Sequence, residues 1–517
     1  MSCILSAPLA NGTVCERNSI FKLAELNCLN ATKDAVLKHN MAGLHGLFID
    51  GEARESKSNR TFVVIDPANE EIVGEVADAS AEDGTMALEA AIRAQKSWAL
   101  TPSRERSAVL YRAYALMIER LDEMSVLIVR ENGKSLTDAK SEVLYAAEFF
   151  RWFSEEAVRI YGQITVAPNG LSKIMVQHQP VGVCLLVTPW NFPAAMITRK
   201  LGPALAAGCA VVCKPAEDTP LTALYLAGLL HDAGVPSGVV NVLPTTQPDA
   251  FVSSLLDDPR IRMLSFTGST EVGRSLLARA AKNVVKCSME LGGNAPFIVF
   301  ADADLTAAVD GAVFSKMRND GQACTASNRF YVERSVAEEF GRLLASRMEV
   351  LTLGHGLDAS TDVGPLINVH GRQKVSRLVD QASLSGAQIL LGGSSVDGKG
   401  FFYAPTVMTN VDPSDEILSS EIFGPVAPIV SFSDEAAAIS YANDTEFGLV
   451  SYLYTSDLAR GLRIAESLEA GMVAINRGSV SDPAAPFGGI KHSGLGREGG
   501  SAGIFEYLET KYISCDW

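Results

Sequence analysis

The chain has 517 residues, 47% of them hydrophobic and 20% charged, and a formal net charge of −16. That length exceeds what one hydrophobic core usually serves, so two or three structural units are expected. The negative balance disfavours nucleic acid and anionic membranes as partners, and no secretory signal pattern opens the chain.

Residues 1–32 read as an irregular N-terminal extension. They carry Glu16 and Glu25 and are too poor in arginine for an organelle presequence. From about Gly51, short β-rich runs alternate with longer helical patterns, as in a parallel α/β fold. Apolar residues at three- and four-residue spacing predict helices over 81–96, 105–120 and 135–158. The segment 161–179 is polar and β-leaning, and is expected to form a protruding hairpin. Residues 180–198 carry no charge before Arg199 and approach the length of a membrane span. However, Pro189 and Pro193 bracket Trp190, Asn191 and Phe192, so a buried strand and a turn are expected instead.

Compact apolar runs at 183–187, 210–213, 239–243 and 263–266 predict strands buried on both faces of a parallel sheet, each followed by a turn and a helical stretch. A second α/β series begins near Asn294, with a strand at 296–300 and helices over 305–316 and 336–351, and runs to about Asn476. The tail from His492 returns to aromatic and β-branched residues, including Tyr507, Tyr512 and Ile513, and reads as an edge strand. Two exposed edges, hairpin and tail, invite pairing with another subunit.

The nine cysteines, Cys3, Cys15, Cys28, Cys184, Cys209, Cys213, Cys287, Cys324 and Cys515, are scattered. With no CxxC pair and no His/Cys cluster, no zinc site is expected. An odd count in a long chain argues against a disulfide framework and for a reducing compartment, the cytoplasm ahead of the mitochondrial matrix.

Five local patterns bear on chemistry. Cys324 follows a helical stretch and the Gly321 break. Presented at a helix N-terminus, it would favour thiolate; alone, it also fits a buried structural cysteine. Glu290 lies in an apolar stretch before a Gly-Gly turn, where desolvation raises a carboxyl pKa and suits a general base; a neighbouring Lys or Arg could equally neutralise it. Asn191, held between two prolines, can donate to a developing oxyanion or satisfy its own turn. Lys214 and Glu217 lie just past a buried strand, where open α/β sheets bind ligands; they also fit a surface ion pair. Ser265-Phe-Thr-Gly-Ser-Thr-Glu-Val-Gly is a strand-to-helix turn that fits a phosphate cradle or an ordinary connection.

Taken in order, these signals resemble the aldehyde dehydrogenase superfamily over residues 33–517. The matching segments are Thr188-Pro-Trp-Asn-Phe-Pro, Lys214-Pro-Ala-Glu, Phe266-Thr-Gly-Ser, Glu290-Leu-Gly-Gly, Gly321-Gln-Ala-Cys, Glu421-Ile-Phe-Gly-Pro and Pro486-Phe-Gly-Gly. The resemblance implies a Rossmann-like cofactor-binding domain (33–158 and 177–290), an α/β catalytic domain (291–478) and a β oligomerisation arm (159–176 and 479–517) that builds homodimers or homotetramers. It implies catalysis by Cys324, Glu290 and Asn191. It also implies cofactor contacts from Thr188, Trp190, Lys214, Glu217, Gly268, Ser269, Leu291, Glu421 and Phe423. A carboxylate at Glu217 would repel a ribose 2′-phosphate, so NAD is expected ahead of NADP.

Within the superfamily the chain is most similar to succinate-semialdehyde dehydrogenases. The resemblance lies in the run Pro193-Ala-Ala-Met-Ile-Thr-Arg-Lys-Leu-Gly, in Ser315-Lys-Met-Arg-Asn, in Ala442-Asn-Asp-Thr-Glu-Phe-Gly-Leu and in Lys491-His-Ser-Gly-Leu-Gly-Arg-Glu-Gly. It implies that Arg199, Arg318 and Ser481 hold a distal substrate carboxylate, a task suited to the planar guanidinium. Succinate semialdehyde is the expected substrate, with glutarate semialdehyde or another aldehyde as the alternative. Two departures stand out. Ala326 occupies the place of a second cysteine able to form a disulfide switch. Arg477 adds a cation that would favour a longer or doubly charged substrate, or simply face solvent. A coenzyme-A-acylating enzyme and a non-catalytic binding protein of the same fold are the competing classes; Glu290 argues against the first and the intact Cys324, Asn191 and Lys214 against the second.

Overall fold

The computed structural model describes residues 44–516, so the expected extension at 1–32 lies outside the described residues. The helical periodicities are realised at Ala81–Leu100, Ser103–Glu119 and Leu136–Glu156. The first is started by Ser80, whose side chain accepts from the Asp83 N–H while the Asp83 carboxylate accepts from the Ser80 N–H, a reciprocal cap that satisfies two otherwise orphaned donors. The hydrophobic pattern alone does not separate the helix Leu121–Asn132 from its neighbours.

The four apolar runs become the parallel strands β1 (Val183–Val187), β2 (Val211–Lys214), β3 (Val240–Val242) and β4 (Ile261–Thr267), and a fifth parallel strand that the runs did not include, β5 (Lys286–Glu290), pairs with β4. Their order in the sheet is β5-β4-β1-β2-β3. The direction of winding therefore reverses at β1, and ligands of such sheets sit beyond the carboxyl ends of the strands at that point. Leu47–Ile49 and Glu52–Arg54 extend the β3 edge, and Gly494–Leu495 adds antiparallel to β5, setting Gly494 opposite Glu290.

After β1 the chain turns through Pro189 to Phe192 into the helix Pro193–Ala207, every residue of which is buried. This explains the uncharged run at 180–198: it is core, with Pro193 at the first helical turn, where a missing N–H costs nothing. No helix of the described residues is long and apolar enough to cross a membrane.

The second series forms a seven-stranded sheet that includes β6 (Ala295–Val299), β7 (Ser327–Glu333), β8 (Val426–Phe432) and β9 (Val450–Tyr454), all mutually parallel, with further strands at its edges. The helices Leu305–Met317 and Ala337–Glu349 follow the expected pattern. The hairpin is present as Gln163–Val166 and Lys173–Pro180. The tail strand Leu508–Cys515 pairs along the whole of Lys173–Pro180, so hairpin and tail close into one three-stranded sheet within the chain. Residues just before that strand go elsewhere: Gly494–Leu495 join the large sheet, and Phe487 and Glu498 are buried close to β5.

Candidate active site

The carboxyl ends of four of the five parallel strands gather several of the residues singled out by sequence. Thr188, Trp190 and Asn191 follow β1, Lys214 ends β2, Gly268 and Ser269 follow β4, and Glu290 ends β5. Register ties them together: Val187 pairs with Lys214 and Thr267 with Glu290. The Thr188 N–H donates to the Lys214 carbonyl at 3.1 Å, and the Gly268 N–H to the Glu290 carbonyl at 3.1 Å.

Lys214 and Glu217 do form an ion pair, 2.9 Å between Nζ and Oε2, but an asymmetric one: the lysine side chain is 5% exposed and the glutamate 42%. A buried ammonium beside an accessible carboxylate suits a polar ligand at the mouth of the crevice better than a surface pair does. Ser269 caps the helix Thr270–Ala280, whose N-terminus opens at the end of β4, so backbone N–H groups and the helix dipole present positive potential there. Leu291 packs tightly on that helix, since a Cβ on Gly273 would stand 2.4 Å from a Leu291 methyl. Across the crevice, Glu421 accepts from the Gly293 N–H at 3.0 Å, and burial raises its pKa against the pull of Gly293, Lys374 and Lys316. Phe423, in the left-handed backbone region at φ 58°, sets its ring edge-on to Trp190 at 5.4 Å. A dinucleotide fits this donor set: a helix N-terminus for phosphates, flanked by two carboxylates for ribose hydroxyls.

Cys324 is not at a helix N-terminus. It sits in the turn between the short 3₁₀ segment Arg318–Gly321 and β7. Asn319, Asp320 and Gly321 all take positive φ, which drives the chain sharply into that turn. The expected thiolate is therefore not favoured at rest: burial, helped by Glu421 and Glu290 and opposed by Arg199 and Arg318, pushes the thiol up to about 12. Without a helix dipole nothing outweighs desolvation.

Glu290 meets its expectation of desolvation. It is 2% exposed, neither carboxylate oxygen has a hydrogen-bond partner, and burial followed by the nearby Glu498 charge holds it well above the usual carboxyl range. Gly488 leaves room for it, because a Cβ there would stand 2.8 Å from Glu290 Oε1. Asn191 is 4% exposed; its Oδ1 accepts from the Phe192 N–H at 3.1 Å and its Nδ2 donates to the Gln322 carbonyl at 3.3 Å, two residues before Cys324. An amide nitrogen carries two N–H bonds, so one remains for an incoming oxygen.

Arg199, Arg318 and Ser481 converge near Tyr145. Burial lifts the Tyr145 phenol, while Arg199, Arg318 and a hydrogen bond with Ser481 pull it back. The two arginines differ in engagement. Arg199 is 2% exposed, bonded to Glu498 (Nε to Oε2, 2.7 Å) and stacked on the Phe487 ring at 4.0 Å. Arg318 lies over the Phe192 ring at 4.9 Å and has no carboxylate partner among the described residues. Arg477 is exposed.

Sequence reasoning missed Glu498, which pairs with both Arg199 and Lys200; these cations outweigh burial and keep it ionised. Its one signal was its place in the Gly496-Arg-Glu-Gly run. It also missed the part of Asn319, whose one signal was its place in the Ser315-Lys-Met-Arg-Asn run, and it missed Tyr145 and the buried pair Lys134–Glu142, which belong to no chemical motif by spacing.

Comparison with known proteins agrees with this geometry. The profile of the aldehyde dehydrogenase family matches residues 53–513. A succinate-semialdehyde dehydrogenase of Paenarthrobacter nicotinovorans is 53% identical over 85% of this chain and 97% of its own length. A glutarate-semialdehyde dehydrogenase of Pseudomonas putida is 47% identical over 93% of this chain and 98% of its own length. The crystal structure of an NADP dependent enzyme from Escherichia coli superposes with a TM-score of 0.91 at 46% identity, covering 93% of this chain and 99% of that one. The chain belongs to the aldehyde dehydrogenase family and has its fold. More particularly, it is an NAD(P)-dependent aldehyde dehydrogenase similar to the succinate-semialdehyde dehydrogenases.

Proposed function

We propose that the protein oxidises an aldehyde bearing a distal carboxylate, succinate semialdehyde ahead of glutarate semialdehyde, with NAD preferred over NADP. The observation that carries this reading is Arg318: a guanidinium over the Phe192 ring without a carboxylate partner among the described residues, close enough to act on the Cys324 thiol and on Tyr145, the phenol that Ser481 hydrogen-bonds. Arg199 contributes from the same side, although Glu498 already takes up part of its donor capacity.

In this reading Cys324 gives up its proton to solvent, its sulfur bonds to the aldehyde carbon, and the carbonyl π pair moves onto oxygen. The resulting oxyanion is held by the Asn191 amide and the Cys324 backbone N–H. A dinucleotide bound there would supply a hydride acceptor, so that the carbon–hydrogen bond of the adduct breaks, its electron pair leaves with the hydrogen, and the carbonyl re-forms as a thioester on Cys324. Glu290 then takes a proton from water, the water oxygen bonds to the thioester carbon, and the carbon–sulfur bond breaks to return the thiol and a carboxylate. Lys214, Glu217, the Ser269-capped helix and Glu421 hold and orient the cofactor, with Thr188, Trp190, Leu291 and Phe423 packing around it. The exposed Glu217 carboxylate disfavours a 2′-phosphate.

The cofactor-binding unit is 33–158 and 177–290, of which 33–43 lie outside the described residues, and the catalytic unit is 291–478. The sheet of hairpin and tail is the surface for a second copy of the chain in a homodimer or homotetramer. Six free cysteines among the described residues fit the reducing cytoplasm. A panel of C4 and C5 semialdehydes and neutral aldehydes of equal length, run with both dinucleotides, tests the reading. The carboxylated substrates should have the higher kcat/KM, the C4 one highest, and NAD should exceed NADP; parity with the neutral aldehydes contradicts it.

A further inference from the structure

The carbonyl oxygen of Asn191 accepts two hydrogen bonds from two different parts of the chain. Lys134 Nζ donates to it at 2.8 Å, and Asn319 Nδ2 at 2.9 Å. Asn319 belongs to the loop of the nucleophile, five residues before Cys324, and the same Nδ2 also donates to the Gln322 carbonyl at 2.9 Å. Its own N–H donates to Asp138 Oδ2 at 2.7 Å. Lys134 belongs to a separate segment, just before the helix Leu136–Glu156. One backbone oxygen is thus bound both by the loop that carries the sulfur and by a rigid element outside it.

Lys134 is itself held. Its ammonium pairs with Glu142 Oε2 at 2.5 Å, both side chains fully buried, and lies 4.1 Å above the Phe192 ring. The other oxygen of Glu142 accepts from the N–H groups of Ala194 and Ala195, at 2.8 and 3.2 Å, so the pair grips the chain on both sides of Phe192. Asn132 adds a bond to the Trp190 carbonyl at 3.0 Å. A buried ion pair gains little stability over well-packed apolar side chains. This one is aimed instead at the main chain of Asn191, whose side-chain amide donates to the Gln322 carbonyl two residues before Cys324.

We propose that Lys134 and Glu142 are positioning residues for the reaction: they fix the Asn191 main chain so that its side-chain amide keeps a set distance from Cys324. The inference rests on the oxyanion role proposed above for Asn191. Neither residue touches substrate or cofactor. Their effect is on the formation of the tetrahedral adduct, because donors to a developing oxyanion act only when already in place.

The test is rapid mixing of the full-length enzyme with aldehyde and NAD, reading the first-turnover burst of reduced dinucleotide. NAD affinity and the rate of Cys324 alkylation by iodoacetamide are measured on the same samples. Lys134→Met/Glu142→Gln leaves no buried unpaired charge; its burst rate is expected to fall about 30-fold, less than the ~100-fold or more for losing an oxyanion donor outright. NAD affinity and alkylation should stay within about twofold, the level at which the site counts as intact. Glu142→Gln keeps an acceptor for Ala194 and Ala195 and takes only the carboxylate from Lys134; it should lose about fivefold in burst rate, and Lys134→Met, which removes the bond to the Asn191 carbonyl and leaves Glu142 able to take up a proton, decides the matter if neither of the others folds. A burst rate like that of the wild type in any of these variants overturns the proposal. So does a parallel fall in burst, alkylation and NAD affinity, which would make the pair a support of the fold only. Asn191→Ala is run alongside: if it keeps the wild-type burst, the oxyanion reading fails, independently of what Lys134 does.

Discussion

Gly293 lies directly against Cys324: a Cβ on the glycine would stand 2.2 Å from the Cys324 carbonyl oxygen. The Gly-Gly turn after Glu290 and the nucleophile's loop are therefore one packed unit, and the space between them is backbone against backbone. Because that oxygen cannot swing aside as a flexible side chain could, Gly293→Ala must displace the loop. A stability loss of about 1–3 kcal/mol, typical of overpacking, is expected in denaturant melts, with at least a tenfold lower kcat, since a displaced nucleophile loses alignment. Wild-type kcat in this variant would mean that the contact yields without moving the sulfur.

The pH profile follows from two raised pKa values. Burial holds both the Cys324 thiol and the Glu290 carboxyl in their protonated forms above their ordinary ranges, and the chemistry needs each to lose its proton. Activity should therefore climb through neutral into alkaline pH instead of levelling off just above the ordinary carboxyl range. Glu498 is one cause of the Glu290 shift, while Arg199 and Lys200 oppose it. Glu498→Gln removes the like charge and frees both cations, and both changes lower the Glu290 pKa. The rising limb for thioester hydrolysis should move to lower pH in that variant, as measured by single-turnover acid release; a shift to higher pH would contradict the electrostatic account.

Arg318→Ala should raise KM for a carboxylated aldehyde at least tenfold, as expected for a lost charge-assisted contact, and leave that of a neutral aldehyde of equal length nearly unchanged. The comparison is made by steady-state kinetics on matched substrates. Equal effects on both would leave Arg318 with a purely structural part, stacked on Phe192.

Much of this site was legible in the sequence because strand order places successive loops at one end of a parallel sheet. The ends of β1, β2 and β4 carry Asn191, Lys214 and Ser269, each readable from an apolar run followed by turn residues; β5 was not read as a strand, and Glu290 at its end was legible only as a carboxylate before a Gly-Gly turn. The helix Pro193–Ala207 was harder, since it is buried on every side and even its charged residues, Arg199 and Lys200, mark no exposed face. The Cys324 environment was misread because the Gly321 break leads, through three consecutive residues of positive φ, into a tight turn and the strand β7, not into a new helix. Glu498 was invisible as a partner for Arg199, 299 residues away along the chain; no local pattern encodes such a pair. The same holds for Lys134 and Asn191, whose contact runs to a backbone oxygen and so leaves no mark on residue type.

The central claim is that Cys324 carries the substrate carbon as a thioester that Glu290 is needed to release. Intact and peptide mass spectrometry of Glu290→Gln, acid-quenched after mixing with aldehyde and NAD, measures it most directly. One acyl group on the peptide containing residue 324, appearing together with one equivalent of reduced dinucleotide, is the expected result. An unmodified Cys324 at the end of the burst, an acyl group on a different residue, or dinucleotide reduction that persists in Cys324→Ala would contradict it.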